Sequence, residues 1–178
     1  MADQLQIKNR TLEIVQGDIA AQDDLDAVVN AANAELAPGG GVAGAIHKAA
    51  GPQLHEACKP LAPIKPGEAV ITAGFNLPND YVIHVLGPVY GRDKPEEELL
   101  KSCYSKALKI ARGHQLTKIG FPAISTGAFG YPLEDGAKTA LTTIKNEMEQ
   151  NQLPELVRMV LFSDNDVKVF REILSSLH

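Results

Sequence analysis

The sequence predicts an α/β fold, a three-layer α/β/α sandwich around a mixed, mostly parallel sheet, and three observations predict it. Short β-type runs alternate with segments of helical periodicity along the chain. The run 156–162 is near-continuously apolar, as a strand buried on both faces must be. No internal repeat, low-complexity segment or linker interrupts the pattern. The 178 residues therefore read as one domain, 1–178, long enough for a substantial core.

Residues 12–15 form the first β-type run, stopped by Gly17 and Asp18. A second covers 26–30. After a glycine-rich loop, 42–50 reads as a helix of small residues, with Val42, Ile46, Ala49 and Ala50 at helical spacing. Strands follow at 69–72 and 81–86, the latter ended by Gly87 and Pro88. The stretch 95–113 is the clearest helix: Pro95 and three glutamates suit its first turn, and Gly113 suits its C-terminal cap. Leu99, Leu100, Cys103, Ala107, Ile110 and Ala111 give it an apolar stripe. A strand at 119–124 flows into a second small-residue loop, and a helix is expected over 132–151. The last helix spans 165–177, with Val167, Phe170, Ile173, Leu174 and Leu177 on one face.

Hydrophobic residues make up 44% and charged residues 22% of the chain, a balance that excludes disorder. A net charge of −5 gives no field that draws the protein to nucleic acid or an anionic membrane, so an anionic ligand must be held locally by backbone N–H groups. Cys58 and Cys103 lie in helix-like segments without zinc spacing and are expected as small buried thiols. Residues 1–10 lack the apolar stretch of a signal peptide and no run approaches a membrane span, so the expected location is cytoplasmic. Neither metal nor cofactor is expected, and nothing in the surface pattern demands more than a monomer.

Two loops carry the chemical signal. Residues 37–42 open the first helix, and 125–130 follow the strand at 119–124. Without Cβ atoms, such backbone can approach a ligand closely and turn successive N–H groups toward it. Two facing loops of this kind suit a diphosphate. Gly39, Gly41 and Gly44 match G-x-G-x-x-G formally, but the glycines do not follow a strand at once and no ribose-binding acid lies at the required spacing. No Gly-Lys-Ser/Thr follows either loop, which excludes a triphosphate loop. Asp18 has two readings: an acceptor for the exocyclic amine of adenine, or an N-cap for a helix starting near Ile19.

Together these segments resemble the macrodomain family, in particular its bacterial MacroD-like ADP-ribose and O-acetyl-ADP-ribose hydrolases. The resemblance is carried in order by 15–19, 26–33, 39–47, 84–88 and 121–127, and runs from about residue 11 to the last helix. It implies that Asp18 binds the adenine amine and that Ile19 lines the base pocket. Gly39, Gly40, Gly41 and Val42, with Ser125, Thr126, Gly127, Ala128 and Phe129, would wrap the diphosphate. Asn33 would hydrogen-bond the distal ribose and Phe129 would pack against it, which makes these two the catalytic candidates. Phe162 would face the adenine ring, or else be a core aromatic. The implied partners are ADP-ribose, ADP-ribosylated proteins and O-acetyl-ADP-ribose, with no membrane and no nucleic acid.

One position departs from that group. Where it typically carries an aspartate that positions the hydrolytic water, this chain has Ala43, as do other macrodomains, viral ones among them. A hydrolase that uses a water held by the substrate's own phosphate, and a reader that performs no chemistry, both remain open. Among other acid–base residues, His47 is expected to pack in or on its helix, His84 to be a hydrogen-bonded structural histidine, and His55 to be solvated. No serine lies in a G-x-S-x-G elbow, so no triad is expected.

Overall fold

The computed structural model describes residues 3–177, leaving Met1, Ala2 and His178 outside the described residues. Seven strands among them form one sheet: β1 (Gln4–Ile7), β2 (Arg10–Gln16), β3 (Ala27–Ala31), β4 (Ala69–Ala73), β5 (Tyr81–Val85), β6 (Lys118–Phe121) and β7 (Leu156–Leu161). Their order is β1-β2-β7-β6-β3-β5-β4. The five central strands, β2 to β5 in that order, pair in parallel, while β1 and β4 run antiparallel at the two edges. The mixed, mostly parallel sheet expected from the sequence is therefore present.

The alternation along the strands decides which side each residue serves. In β3, Ala27 and Val29 enter the core shared with α3 (Glu96–Gly113), α4 (Leu133–Gln150) and α5 (Asp164–Ser175). Val28 enters the opposite core, shared with α1 (Gly41–Ala50) and α2 (Pro52–Cys58). The sheet is thus covered on both faces. Cys58 and Cys103 are buried free thiols, as expected, and burial pushes them up to about 11 and about 12, which keeps them protonated and inert.

Charged ties fix the strand starts. Asp26 accepts from Thr117 N and Oγ1, both at 2.9 Å, and from Lys118 N at 3.0 Å, joining β3 to β6. Burial works against its charge, but these hydrogen bonds outweigh it and hold the carboxyl below its usual range. Arg158 on β7 meets Glu13 on β2 at 2.8 Å and grips Asp24 through two bonds of 2.8 Å.

Several boundaries differ from the sequence reading. The strand expected over 119–124 stops at Phe121, because Pro122 has no N–H and the N–H of Ile124 is taken by the Tyr104 hydroxyl at 3.2 Å. Gly113 is the last helical residue of α3 rather than its cap. His114 caps the helix, and Gln115 adopts the left-handed conformation with φ 57°. Pro95 occupies the N-cap rather than the first turn. Edge strand β1 was not expected, since Ile7 is its one buried residue.

Beneath α1 and α2 lies a buried polar cluster. Asn30 and His84 are partners across β3 and β5, and Asn30 Nδ2 donates to His84 Nδ1 at 3.1 Å. His84 Nε2 then donates to Thr72 Oγ1 at 3.0 Å, whose own hydroxyl donates to Ala73 O. A protonated Nδ1 would face the Asn30 amide hydrogens, so the ring is neutral. Burial, with the nearby His47 adding to it, lowers its pKa to about 3. His47 on α1 is 5% exposed, and neither of its ring nitrogens has a hydrogen-bond partner among the described residues. Burial, reinforced by His55, lowers its pKa too.

These depressed histidines make stability depend on pH. Below the unfolded value of 6.5, the unfolded chain binds a proton that folded His84 refuses until about pH 3. Stability is full above that unfolded value and falls with decreasing pH, by roughly 2 kcal/mol at pH 5 from His84 alone. Urea unfolding at a series of pH values is expected to show this slope, and His84→Gln to flatten it. A midpoint constant between pH 7 and pH 5 would contradict neutral burial.

Candidate functional site

Parallel strands end on one side of a sheet, so the segments that follow them gather there. Four such segments line one cleft of approximately 470 Å³: Gly17, Asp18 and Ile19 after β2; Gly41, Val42 and Ala45 on α1 after β3; Pro122, Ala123, Thr126 and Gly127 after β6; and Val160, Leu161, Phe162 and Asp166 at the end of β7 and in α5. Because β7 and β6 stand between β2 and β3, the cleft runs from Asp18 and Phe162 at one end to Gly41 and Gly127 at the other.

At the second end, Gly40 is the N-cap of α1, which has no side-chain cap and no acidic residue in its first turn. The first intrahelical bond at this end runs from Gly44 N to Gly40 O at 3.2 Å, which leaves the preceding N–H groups without helical partners. Their positive end of the helix dipole is uncompensated and suits an anion. Gly41 adopts φ 57°, a conformation that a side chain would strain. Gly44 is required for a different reason: a Cβ there would collide with the carbonyl oxygen of Gly39, which rests on the helix. Ala43 is buried in this first turn and brings no carboxylate.

Asn33 holds the loop that leads into α1. Its Nδ2 donates to Ala37 O and its Oδ1 accepts from Ala37 N, both at 2.9 Å. Its amide nitrogen also lies beside Gly39, 3.4 Å from where a Cβ would stand. The loop 125–130 is likewise closed on itself, by Tyr131 N to Ser125 O at 2.9 Å and Gly130 N to Gly127 O at 3.0 Å. Tyr90 N donates to Phe129 O at 2.9 Å and ties this loop to the segment after β5. Ser125 adopts φ 67°, and its hydroxyl is buried, without a partner among the described residues, in the space left by Gly87.

At the first end, the N-cap reading of Asp18 is observed. Its Oδ1 caps the short 3-10 helix Ile19–Ala21 by accepting from Ala20 N at 2.9 Å, while Oδ2 has no partner among the described residues. Phe162 is 86% exposed, so the core reading of that ring is excluded.

Of the residues expected at the site, Asp18, Ile19, Gly41, Val42, Thr126, Gly127 and Phe162 line one cleft. Gly39, Gly40 and Asn33 stand just behind its α1 rim, and Ser125, Ala128 and Phe129 belong to the loop that supplies Thr126 and Gly127 without lining the cleft themselves. Phe129 is partly buried against the core under α1. Sequence reasoning missed Gly17, Ala45, Pro122, Ala123, Val160, Leu161 and Asp166. Their apolar members carry no signal that separates cleft lining from core.

Fold and cleft define an α/β module with backbone donors at one end of its groove and a carboxylate and an exposed aromatic ring at the other. The chain belongs to the macro domain family: the family's profile, Macro domain, matches residues 29–140. A macro domain-containing protein of Methanosarcina mazei is 47% identical over 167 residues, covering 93% of this chain and 89% of that protein. Macro domain-containing protein CT2219 of Chlorobaculum tepidum is 46% identical over 169 residues, 94% of this chain and 98% of that protein. Among solved structures, the Oceanobacillus iheyensis macrodomain with ADP is similar at TM-score 0.94 and 43% identity, over 98% of this chain and 95% of that one. The Trypanosoma brucei macrodomain in complex with ADP-ribose is similar at TM-score 0.84 and 34% identity, over 92% of this chain and 68% of that one.

Gly44 in α1 and Gly113 in α3 separate steric need from helix propensity. Gly113→Ala meets open space and is expected to stabilise by about 0.5 kcal/mol. Gly44→Ala, despite the same gain in propensity, is expected to lower the melting temperature because the Gly39 carbonyl must move. Thermal unfolding of both variants checks this, and equal shifts would contradict it.

Proposed function

We propose that this chain binds ADP-ribose and hydrolyses mono-ADP-ribose from proteins modified on aspartate or glutamate, with O-acetyl-ADP-ribose as a second ester substrate. The observation that carries the reading is the polarity of the cleft. The uncapped start of α1 faces one end, and Asp18 with the open ring of Phe162 lies at the other. A diphosphate is held by the backbone N–H groups of 40–43, opposite Thr126 and Gly127. The base meets Phe162, and its exocyclic amine donates to the free oxygen of Asp18. Adenine has that donor where guanine presents a carbonyl. The ADP bound to the Oceanobacillus iheyensis protein and the ADP-ribose bound to the Trypanosoma brucei protein support this choice of ligand.

The distal ribose then reaches Asn33 and Phe129. Asn33 keeps one Nδ2 hydrogen beyond the bond to Ala37 O, and that hydrogen is free to hold a ribose hydroxyl. In hydrolysis, water attacks the anomeric carbon and its bond to the carboxylate oxygen breaks, releasing a carboxylate that needs no strong acid to assist it. Alternatively, water attacks the ester carbonyl, the acyl carbon–oxygen bond breaks, and the ribose oxygen leaves as a hydroxyl that takes a proton from the attacking water. With Ala43 supplying no base, the water is ordered by a substrate phosphate oxygen and the backbone of 39–41, so the rate advantage comes from positioning. Phe129 limits how the ribose turns.

The carboxylate-free first turn of α1 favours a second reading, a module that binds ADP-ribose without turning it over. One experiment separates them. Calorimetry with ADP-ribose is paired with turnover of an ester-linked ADP-ribosyl peptide. Binding by the wild type is expected, weakened roughly tenfold to a hundredfold by Asp18→Ala through loss of a charge-assisted hydrogen bond. Peptide turnover is expected, and Asn33→Ala is expected to slow it at least about tenfold. Binding without turnover at stoichiometric protein leaves only the reader, and absence of binding overturns both readings.

A further inference from the structure

The two helices that open onto the cleft begin in opposite ways. α1 has an uncapped start and no acid in its first turn. α5 is capped by Ser163, whose hydroxyl accepts from Asp166 N at 3.1 Å, and it carries Asp164 and Asp166 in its first turn. The positive end of α5 is therefore already compensated within the protein. Asp164 accepts from Gln16 Nε2 at 2.8 Å. The carboxylate of Asp166 has no hydrogen-bond or ion-pair partner among the described residues, and it lines the same cleft as Asp18 and Phe162. Among the described residues, no Lys, Arg or His lines that cleft.

We propose that Asp166 is a specificity-determining residue, through which the cleft rejects nucleotides carrying a further phosphate on the adenosine ribose. The inference rests on the adenosine assignment made above. With the base at Asp18 and Phe162 and the diphosphate at α1, the ribose that joins them lies between, beside Val160, Leu161 and Asp166. A free ribose hydroxyl can donate to the Asp166 carboxylate. A phosphate there would carry about two negative charges against that carboxylate. It would also meet apolar neighbours and find no cation to accept it. At separations of several ångströms in partly solvated surroundings, such repulsion weakens binding by roughly tenfold.

The test compares ADP-ribose with its 2′-phosphorylated analogue by calorimetry, on the wild type, Asp166→Asn and Asp166→Ala, each checked for folding by thermal melt. The quantity read is the ratio of the two dissociation constants. For the wild type the analogue is expected to bind at least about tenfold more weakly at low salt, with the gap narrowing at 0.5 M salt, roughly where charges are screened within a few ångströms. In both variants the ratio is expected to approach one. A wild-type ratio near one, or a large ratio that both variants retain, overturns this proposal while leaving the ADP-ribose assignment intact. Failure of ADP-ribose itself to bind the folded wild type overturns that assignment, and this inference with it.

Discussion

The unpaired N–H groups at the start of α1 are the feature around which the rest of this molecule is arranged. A helix that begins on glycine, with neither a capping side chain nor an acid in its first turn, leaves its first donors and its dipole uncompensated by the described residues. Keeping that end open requires a loop that folds back without covering it. Asn33 supplies this by clamping both polar groups of Ala37, and Gly44 supplies it by letting the Gly39 carbonyl rest on the helix. The opposing loop is held apart by its own hydrogen bonds and by Tyr90. An acidic protein thereby presents open backbone donors of the kind that suit an anion, with no lysine or arginine among the described residues that line the cleft.

The same helix is anchored from below. His47 on α1 packs over the neutral Asn30–His84–Thr72 chain, and its ring lies 6.5 Å from that of His84. Neutral imidazoles tolerate that burial; charged ones do not. The position of α1 and the protonation of this cluster are therefore physically linked, and the site shares its foundation with the fold.

Much of the architecture was legible in the residues. Near-continuous apolar runs such as 156–162 and helical stripes such as that of α3 report burial directly, so the central strands and long helices emerge from pattern alone. Edge strand β1 does not, because a strand with one inward side chain carries almost no periodic signal. The short β6 was overextended, since the loss of pairing at Pro122 and the Tyr104 hydroxyl bond to Ile124 depend on tertiary contacts. At the site, glycine loops and Asp18 stood out because their chemistry is local. Phe162 read equally well as core or cleft until the structure placed its ring in the open. Val160, Leu161 and Asp166 join the cleft only because β7 lies between β2 and β6, a topological fact that no local pattern encodes.

The account stands most directly on which amides meet the ligand. Titrating isotopically labelled protein with ADP-ribose and following backbone amide resonances measures this residue by residue. The account predicts that the largest shifts fall on 40–43 and 125–127, with smaller ones near Asp18 and Phe162. Saturable binding whose shifts avoid the start of α1, or cluster on surface lysines and arginines instead, would contradict it.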